Sequence, residues 1–381
     1  MGPLIEEFGW SRTYVTSGAA MGSLVTGALM PLIGVLVDRY GSRRIVLPGL
    51  LAGTLCTMAF SLFSQSSFVW FGLWVLHAAV NVTVCQIVWT TAVAGRFKTG
   101  QGMAIGLTLA GITASQAIVP VLSVELIDYF CWRMAYVVLG LLLGTPAIIL
   151  AAFFFFDSRD TQRIEARKNK VVAEIDTAAL PGLTMREAAR NTALWRISMS
   201  IFVIILLTIG FMIHQIEILI GTGITRESAA MLAGLAGATG IVGKIVTGYL
   251  LDNYRGNWVS GLTMGAAAVA FAMLVRDIGT FTMLVIVMLV NGYTAGAKMQ
   301  IASFLTVKYA GIRNFGKIYG IISTLIAVAS ASGPMLAGAI YDLTGGYQAF
   351  LMASVVGLTF SAVLLLTLPR YPDWEQHTAT V

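Results

Sequence analysis

The stretch "GVLVDRYGSRR", residues Gly34 to Arg44, returns 214 residues later as "GYLLDNYRG", Gly248 to Gly256. Gly34 falls on Gly248, Leu36 on Leu250, Asp38 on Asp252 and Tyr40 on Tyr254. Working outward, the register holds without a gap: Gly102 meets Gly316, Gly106 meets Gly320, Pro120 meets Pro334, Asp128 meets Asp342 and Ala135 meets Ala349. The chain is therefore expected to be two parallel copies of one helical unit.

The solvent of these copies follows from composition. Of 381 residues, 57% are hydrophobic and 11% charged, and the mean hydropathy is +0.83; a soluble domain carries about 25% charged residues. Runs of about 20 apolar residues cross a hydrocarbon core of roughly 30 Å as helices. Such runs lie at 13–37, 45–64, 69–94, 102–124, 133–156, 194–216, 227–251, 258–275, 280–306, 315–340 and 347–368, eleven in all. The expected fold is an all-α polytopic membrane protein, with an N-terminal half over 1–156, a linker over 157–193 and a C-terminal half over 194–381. Eleven spans do not divide into equal halves. The span at 194–216 has its repeat partner upstream of Met1, so a first helix of about 20 residues is expected to be missing, and the spans present are numbers 2 to 12 of twelve.

The net charge of +6 is not spread evenly. Arg39, Arg43 and Arg44 follow the first span, Arg96 and Lys98 the third, and Lys308, Arg313 and Lys317 surround the connection near 307–314. The 157–193 segment adds further arginines and lysines, whereas the alternate connections are neutral or acidic. This bias places the basic connections in the cytoplasm and the chain, multi-pass, in the cell (inner) membrane. It makes the lipid bilayer, not nucleic acid, the partner that the charge reports. Within the linker, "LTMREAARN" sets Thr184 three residues before Glu187, a capping box that predicts a short helix at the membrane surface.

Enzyme chemistry finds no support in the residues. There is no HExxH pair and no Cys/His cluster, and "AGLAGATGIVGK" ends in Lys244–Ile245 rather than the Lys-Ser/Thr of a phosphate loop. No metal or cofactor is expected. The three cysteines, Cys56, Cys85 and Cys131, lie in apolar settings and suggest no disulfide framework.

Gly34 to Arg44, with its degenerate copy at Gly248, resembles the signature between helices 2 and 3 of the major facilitator superfamily. "GPLIEEFGWSR" (Gly2 to Arg12) and "VKYAGIRNFGKIYG" (Val307 to Gly320) are similar to bacterial relatives of the monocarboxylate and oxalate/formate transporters. The resemblance implies two six-helix halves that alternate access to a central cavity and a monomeric carrier of a small organic anion with a proton. It leaves open exchange of one anion for another, and a non-transporting sensor or an inactive truncated fragment.

Gating is assigned to the signature. Asp38 ends its span beside Arg39, Arg43 and Arg44, where a carboxylate can take up guanidinium and helix N-terminal dipoles, while Gly34 and Gly41 allow close approach and a tight turn. Asp252 is its duplicate, expected to latch more weakly because Asn253 and Tyr254 replace the basic cluster. The plainer alternative is that the arginines only set topology. Binding is assigned to ionisable or amide groups stranded at membrane depth, where a charge costs about 2.5–3.5 kcal/mol or more. Lys244 lies about 12 Å in from Asp252, on a face whose Gly237, Gly240 and Gly248 are expected to leave room; by resemblance it occupies the place of an anion-binding arginine. Lys298 shares a face with Asn291, though its long stem could also snorkel to the surface. His77, Asn81 and Cys85 form a four-residue stripe with Gln86 beside it, read as proton-responsive or as interhelical hydrogen bonding. No Asp or Glu lies in the middle of any span.

Overall fold

The computed structural model describes residues 2–10, 12–63, 65–97, 99–156, 181–275 and 280–372; the linker residues 157–180, with Arg159, Arg163, Arg167, Lys168 and Lys170, and Lys98 lie outside them. The described residues are helical apart from short connections. In chain order the helices are α1 (Gly2–Phe8), α2 (Arg12–Tyr40), α3 (Ser42–Ala59), α4 (Ser67–Asn81), α5 (Gln86–Arg96), α6 (Gln101–Tyr129) and α7 (Trp132–Phe154). After the linker come α8 (Met185–Arg190), α9 (Thr192–Ile220), α10 (Arg226–Asn253), α11 (Gly256–Val275), α12 (Phe281–Ala310), α13 (Phe315–Thr344) and α14 (Gln348–Leu366).

Ten segments of the described residues are long and apolar enough to span a membrane. The eleventh expected span, 102–124, lies within α6, a continuous helix of 29 residues whose stretch Gln101–Ile112 is a shorter apolar segment. One expected span is interrupted. The run at 69–94 is α4, a 3-10 turn over Val82–Val84, and α5, with Cys85 extended between them (φ −68°, ψ 167°).

Local chemistry sets the helix ends. The Thr184–Glu187 capping box forms as expected, Thr184 N–H donating to Glu187 Oε2 at 2.7 Å. Asn191 Oδ1 accepts from the N–H groups of Ala193 and Leu194 and starts α9, and Thr225 does the same for α10 through Ser228. Gly41, at φ +87°, is the single residue between α2 and α3. Only glycine adopts that backbone without strain, which accounts for the turn.

The chain forms two compact units. Unit 1 takes residues 1–96, 114–180 and 315–324; unit 2 takes 97–113, 181–314 and 325–381. The two exchanged stretches contain the first turns of α6 and α13, which begin at Gln101 and Phe315 and are repeat partners.

Within unit 1, α2 packs on α4 where Gly18 and Gly22 meet Trp74, and α3 packs on α7 where Gly140 and Gly144 meet Met58 and Thr54. An aromatic cluster of Phe8, Trp10, Phe60, Phe63 and Trp70 closes one end. α1 is tied there by Glu7, which pairs with Arg133 at 2.7 Å and accepts from the Trp132 indole. Within unit 2, α10 and α12 approach through glycines: a Cβ on Gly296 would strike the carbonyl of Gly240, and one on Gly243 the backbone of Tyr293. Lipid tails are as apolar as leucine, so such backbone approach, not apolar burial alone, holds helices together in a bilayer. The linker's end is stapled to the α12–α13 connection by a bridge between Gly182 and Gly311, with Leu183 N–H donating to Ala310 O at 2.8 Å.

Candidate functional site

Asp38 is the next-to-last-but-one residue of α2 and 6% exposed. Its two oxygens accept from the first-turn N–H groups of α13: Gly316 N–H to Oδ1 at 2.9 Å and Lys317 N–H to Oδ2 at 2.8 Å. Asp252 repeats the arrangement in unit 2. Gly102 N–H donates to its Oδ1 at 2.6 Å and Met103 N–H to its Oδ2 at 2.7 Å. Each carboxylate thus caps a helix contributed by the other sequence repeat, with charge-assisted bonds at the positive end of a helix dipole. Both aspartates accept two main-chain N–H bonds at a helix start. They differ in burial, Asp252 being exposed.

The glycines beside these latches are used for approach. A Cβ on Gly34 would strike the backbone of Gly316, and one on Gly102 would press on Gly248 O and Asp252. Of the three arginines, Arg43 turns to α7, donating to Ala152 O at 2.6 Å with its guanidinium 3.9 Å from the Phe156 ring centre. Arg39 lies over Tyr40, and Arg39 and Arg44 are exposed.

Both intramembrane lysines are buried and in unit 2. Lys244, on α10 and 7% exposed, donates from Nζ to the carbonyl of Leu109 on α6 at 2.9 Å. Lys298, on α12 and 6% exposed, donates to Thr208 Oγ1 on α9 at 2.8 Å. That Thr208 hydroxyl in turn donates a hydrogen bond to Ile204 O at 2.7 Å. Asn291, two turns from Lys298 along α12, is also buried. The room expected beside Lys244 is not where the glycines suggested: Gly240 faces the backbone of Gly292 and Gly296, Gly248 faces Gln300 and Gly102, and only Gly237 opens onto space.

His77 and Asn81 belong to unit 1. The His77 ring stands edge-on to Phe60 (5.5 Å) and Trp74 (6.0 Å), and Asn81 Nδ2 donates to His77 O at 2.9 Å. Cys85 leaves the stripe because the helix breaks at Val82. Gln86, past the break, donates to Tyr319 Oη.

Sequence reading missed Gln300, fully buried, whose Nε2 donates to Gly102 O at 2.6 Å beside the Asp252 latch. Its signal was present, a polar amide two residues from Lys298 inside a span. A further polar cluster lies at the C-terminal end of α9. There Tyr347 Oη lies 2.9 Å from His214 Nδ1 and donates to Glu217 Oε2 at 3.0 Å, while His214 Nε2 lies 3.2 Å from Pro334 O.

Known proteins resemble this chain in sequence and in fold. The mouse monocarboxylate transporter 12 is 23% identical over 370 residues, covering 91% of this chain and 73% of its own length. A Bacillus subtilis (strain 168) protein described as the uncharacterized MFS-type transporter YhcA is 29% identical over 164 residues, 42% of this chain and 30% of that one. Among solved structures, the E. coli fucose:proton symporter FucP superposes with a TM-score of 0.69 at 11% identity, covering 94% of this chain and 93% of that one. The human organic anion transporter MFSD10 superposes with a TM-score of 0.66 at 18% identity, covering 91% and 82%; these two likenesses concern the fold. The family model of the Major Facilitator Superfamily matches residues 1–222 and again 208–380, once for each repeat, and the chain belongs to that superfamily.

Proposed function

We propose that the protein is a secondary transporter of a small, monocarboxylate-like organic anion, carried with a proton by alternating access. The observation that carries this reading is the pair of buried lysines, Lys244 and Lys298, on the adjacent helices α10 and α12. Lys244 donates to a main-chain carbonyl and Lys298 to a hydroxyl, both neutral groups. Since no span interior carries Asp or Glu, the membrane-embedded region is net positive, which attracts carboxylates and repels cations. The names of the monocarboxylate transporter relatives favour the same substrate class. An incoming carboxylate would displace Leu109 O and Thr208 as the lysines' acceptor, and a proton moving with it would leave the loaded carrier no more charged than the empty one.

In this proposal Asp38 and Asp252 are the latches of the basic-side gate, with Gly34, Gly41, Arg39, Arg43 and Arg44 shaping and charging that end; the halves 1–156 and 194–381 are the moving parts. His77 and Asn81 supply a proton-responsive site, Asn291 a neutral contact near Lys298, and the carrier works as a monomer in the inner cell membrane.

Uptake of radiolabelled lactate, pyruvate, acetate, oxalate and succinate into proteoliposomes tests it. Acid-outside uptake of one carboxylate, with affinity reduced about 30-fold or more in Lys244→Ala as expected for a buried charge losing its partner, is the expected result. Uptake only against an internal anion would replace symport by exchange. No flux for any anion, or flux indifferent to the lysine, would reject the substrate assignment.

A further inference from the structure

At the ends of α11, α12 and α14 in unit 2 lies a cavity of about 520 Å³ lined by Arg255, Asn257, Tyr309, Arg370 and Tyr371. Its wall is built deliberately. Tyr371 Oη accepts from Gly256 N–H at 2.8 Å, in a place where a Cβ on Gly256 would collide with that hydroxyl. The rings of Tyr371 and Tyr309 pack edge to face at 5.3 Å, and Tyr309 Oη donates to Pro369 O, fixing the segment that carries Arg370. The guanidinium groups of Arg255 and Arg370 have no hydrogen-bond or ion-pair partner among the described residues.

The internal repeat shows what is unusual here. Under the 214-residue offset Asn257 corresponds to Arg43, Arg370 to Phe156 and Arg255 to Gly41. In unit 1 that location satisfies itself, since Arg43 bonds Ala152 O and stacks on Phe156. In unit 2 the cation has moved to the Phe156 position, a second cation replaces the turn glycine, and both guanidiniums line an open cavity. The first turn of α11 adds the positive end of a helix dipole, an environment that favours phosphate. Trp195 and Trp258, on the first turns of α9 and α11, are 61% and 54% exposed. Exposed tryptophans at helix ends mark the headgroup level of a bilayer.

We propose that this cavity binds a phosphate group through Arg255 and Arg370, supplied by an anionic phospholipid of the leaflet on the basic side of the protein. Arginine forks suit phosphate oxygens geometrically, and the inference is independent of which substrate is transported.

The test uses the purified full chain in nanodiscs of phosphatidylcholine alone or with phosphatidylglycerol, read by native mass spectrometry and by thermal unfolding during lipid titration. The wild type is expected to retain one phosphatidylglycerol and to be stabilised by it. Arg370→Gln, a change beyond the last helix, should weaken binding about fivefold, and Arg255→Gln with Arg370→Gln about 25-fold, from the usual contribution of each basic residue at an anionic surface. Arg190→Gln, an equal charge loss on α8, should change nothing. Stabilisation by millimolar inorganic phosphate with the same arginine dependence, and no preference for phosphatidylglycerol, would keep the phosphate site and assign its source to free phosphate. Equal lipid retention in the wild type and Arg370→Gln together with no response to phosphate overturns the proposal.

Discussion

Lys298 poses the sharpest question at the scale of a single residue, because a buried cation either serves a ligand or braces the fold. Its ammonium donates to Thr208 Oγ1, which itself donates to Ile204 O. Lys298→Met would therefore leave Thr208 satisfied while removing a charge from an apolar setting, a change that leaves stability unaltered or raises it. Unfolding temperature in detergent should hold or increase while carboxylate uptake falls; a marked loss of stability would make the lysine a brace. Glu7 is the complementary case at the exposed end of unit 1. Arg133, and then the Trp132 indole, hold its carboxyl below the usual carboxylate range. A group with a depressed folded pKa stabilises above its unfolded value, near 4.3, and that contribution is lost as pH falls through the lower folded value. The difference in unfolding temperature between wild type and Glu7→Gln should accordingly be present at pH 6 and vanish in stronger acid, and a difference that grows on acidification would contradict it. His77 shows what sequence could and could not give at this scale: its polar stripe with Asn81 was legible from spacing, but the Phe60 ring edge-on to it comes from the turn that follows α3. Thr208, 90 residues from Lys298, carries no local sign of its role.

Among elements, the latches are the feature that the repeat encodes most directly. Asp38 and Asp252 are offset partners, and so are the amides they receive, Gly102 with Gly316 and Met103 with Lys317. The alignment was visible in sequence, and the helix-cap chemistry follows from carboxylates facing helix N-termini. What sequence could not show was their difference in burial, Asp38 being buried and Asp252 exposed. Asp38→Asn would set an amide NH₂ against one of two backbone N–H groups, a donor facing a donor in a buried place. The loss is about 1–3 kcal/mol. Asp252→Asn makes the same mismatch in an exposed setting where water can repair it. Unfolding temperature and initial uptake rate should both drop more for the Asp38 variant, and the reverse order would refute burial as the source of the difference. The break after Asn81 was unreadable from composition: Val82 to Val84 is apolar enough to continue a span, and the stop shows only in the 3-10 turn whose Val84 carbonyl accepts from Trp89 Nε1.

For the molecule as a whole, the duplicated transporter fold was legible because bilayer thickness and the 214-residue register act on the entire chain, while the coupling mechanism is a matter of charge balance over a full cycle. A monocarboxylate and a proton crossing together carry no net charge. Exchange of a dicarboxylate for a monocarboxylate moves one charge per turn. The two differ in what the membrane potential can do, since 100 mV is worth about 2.3 kcal/mol per elementary charge, or about 50-fold in an accumulation ratio. With potential clamped by potassium and valinomycin at constant pH difference, accumulation of the transported carboxylate should be the same at 0 and at −100 mV. It should instead scale with the pH difference, about tenfold per unit for one proton. A potential-dependent ratio would mean that monocarboxylate and proton do not cross in equal number, and electroneutral symport would give way to a charge-moving exchange.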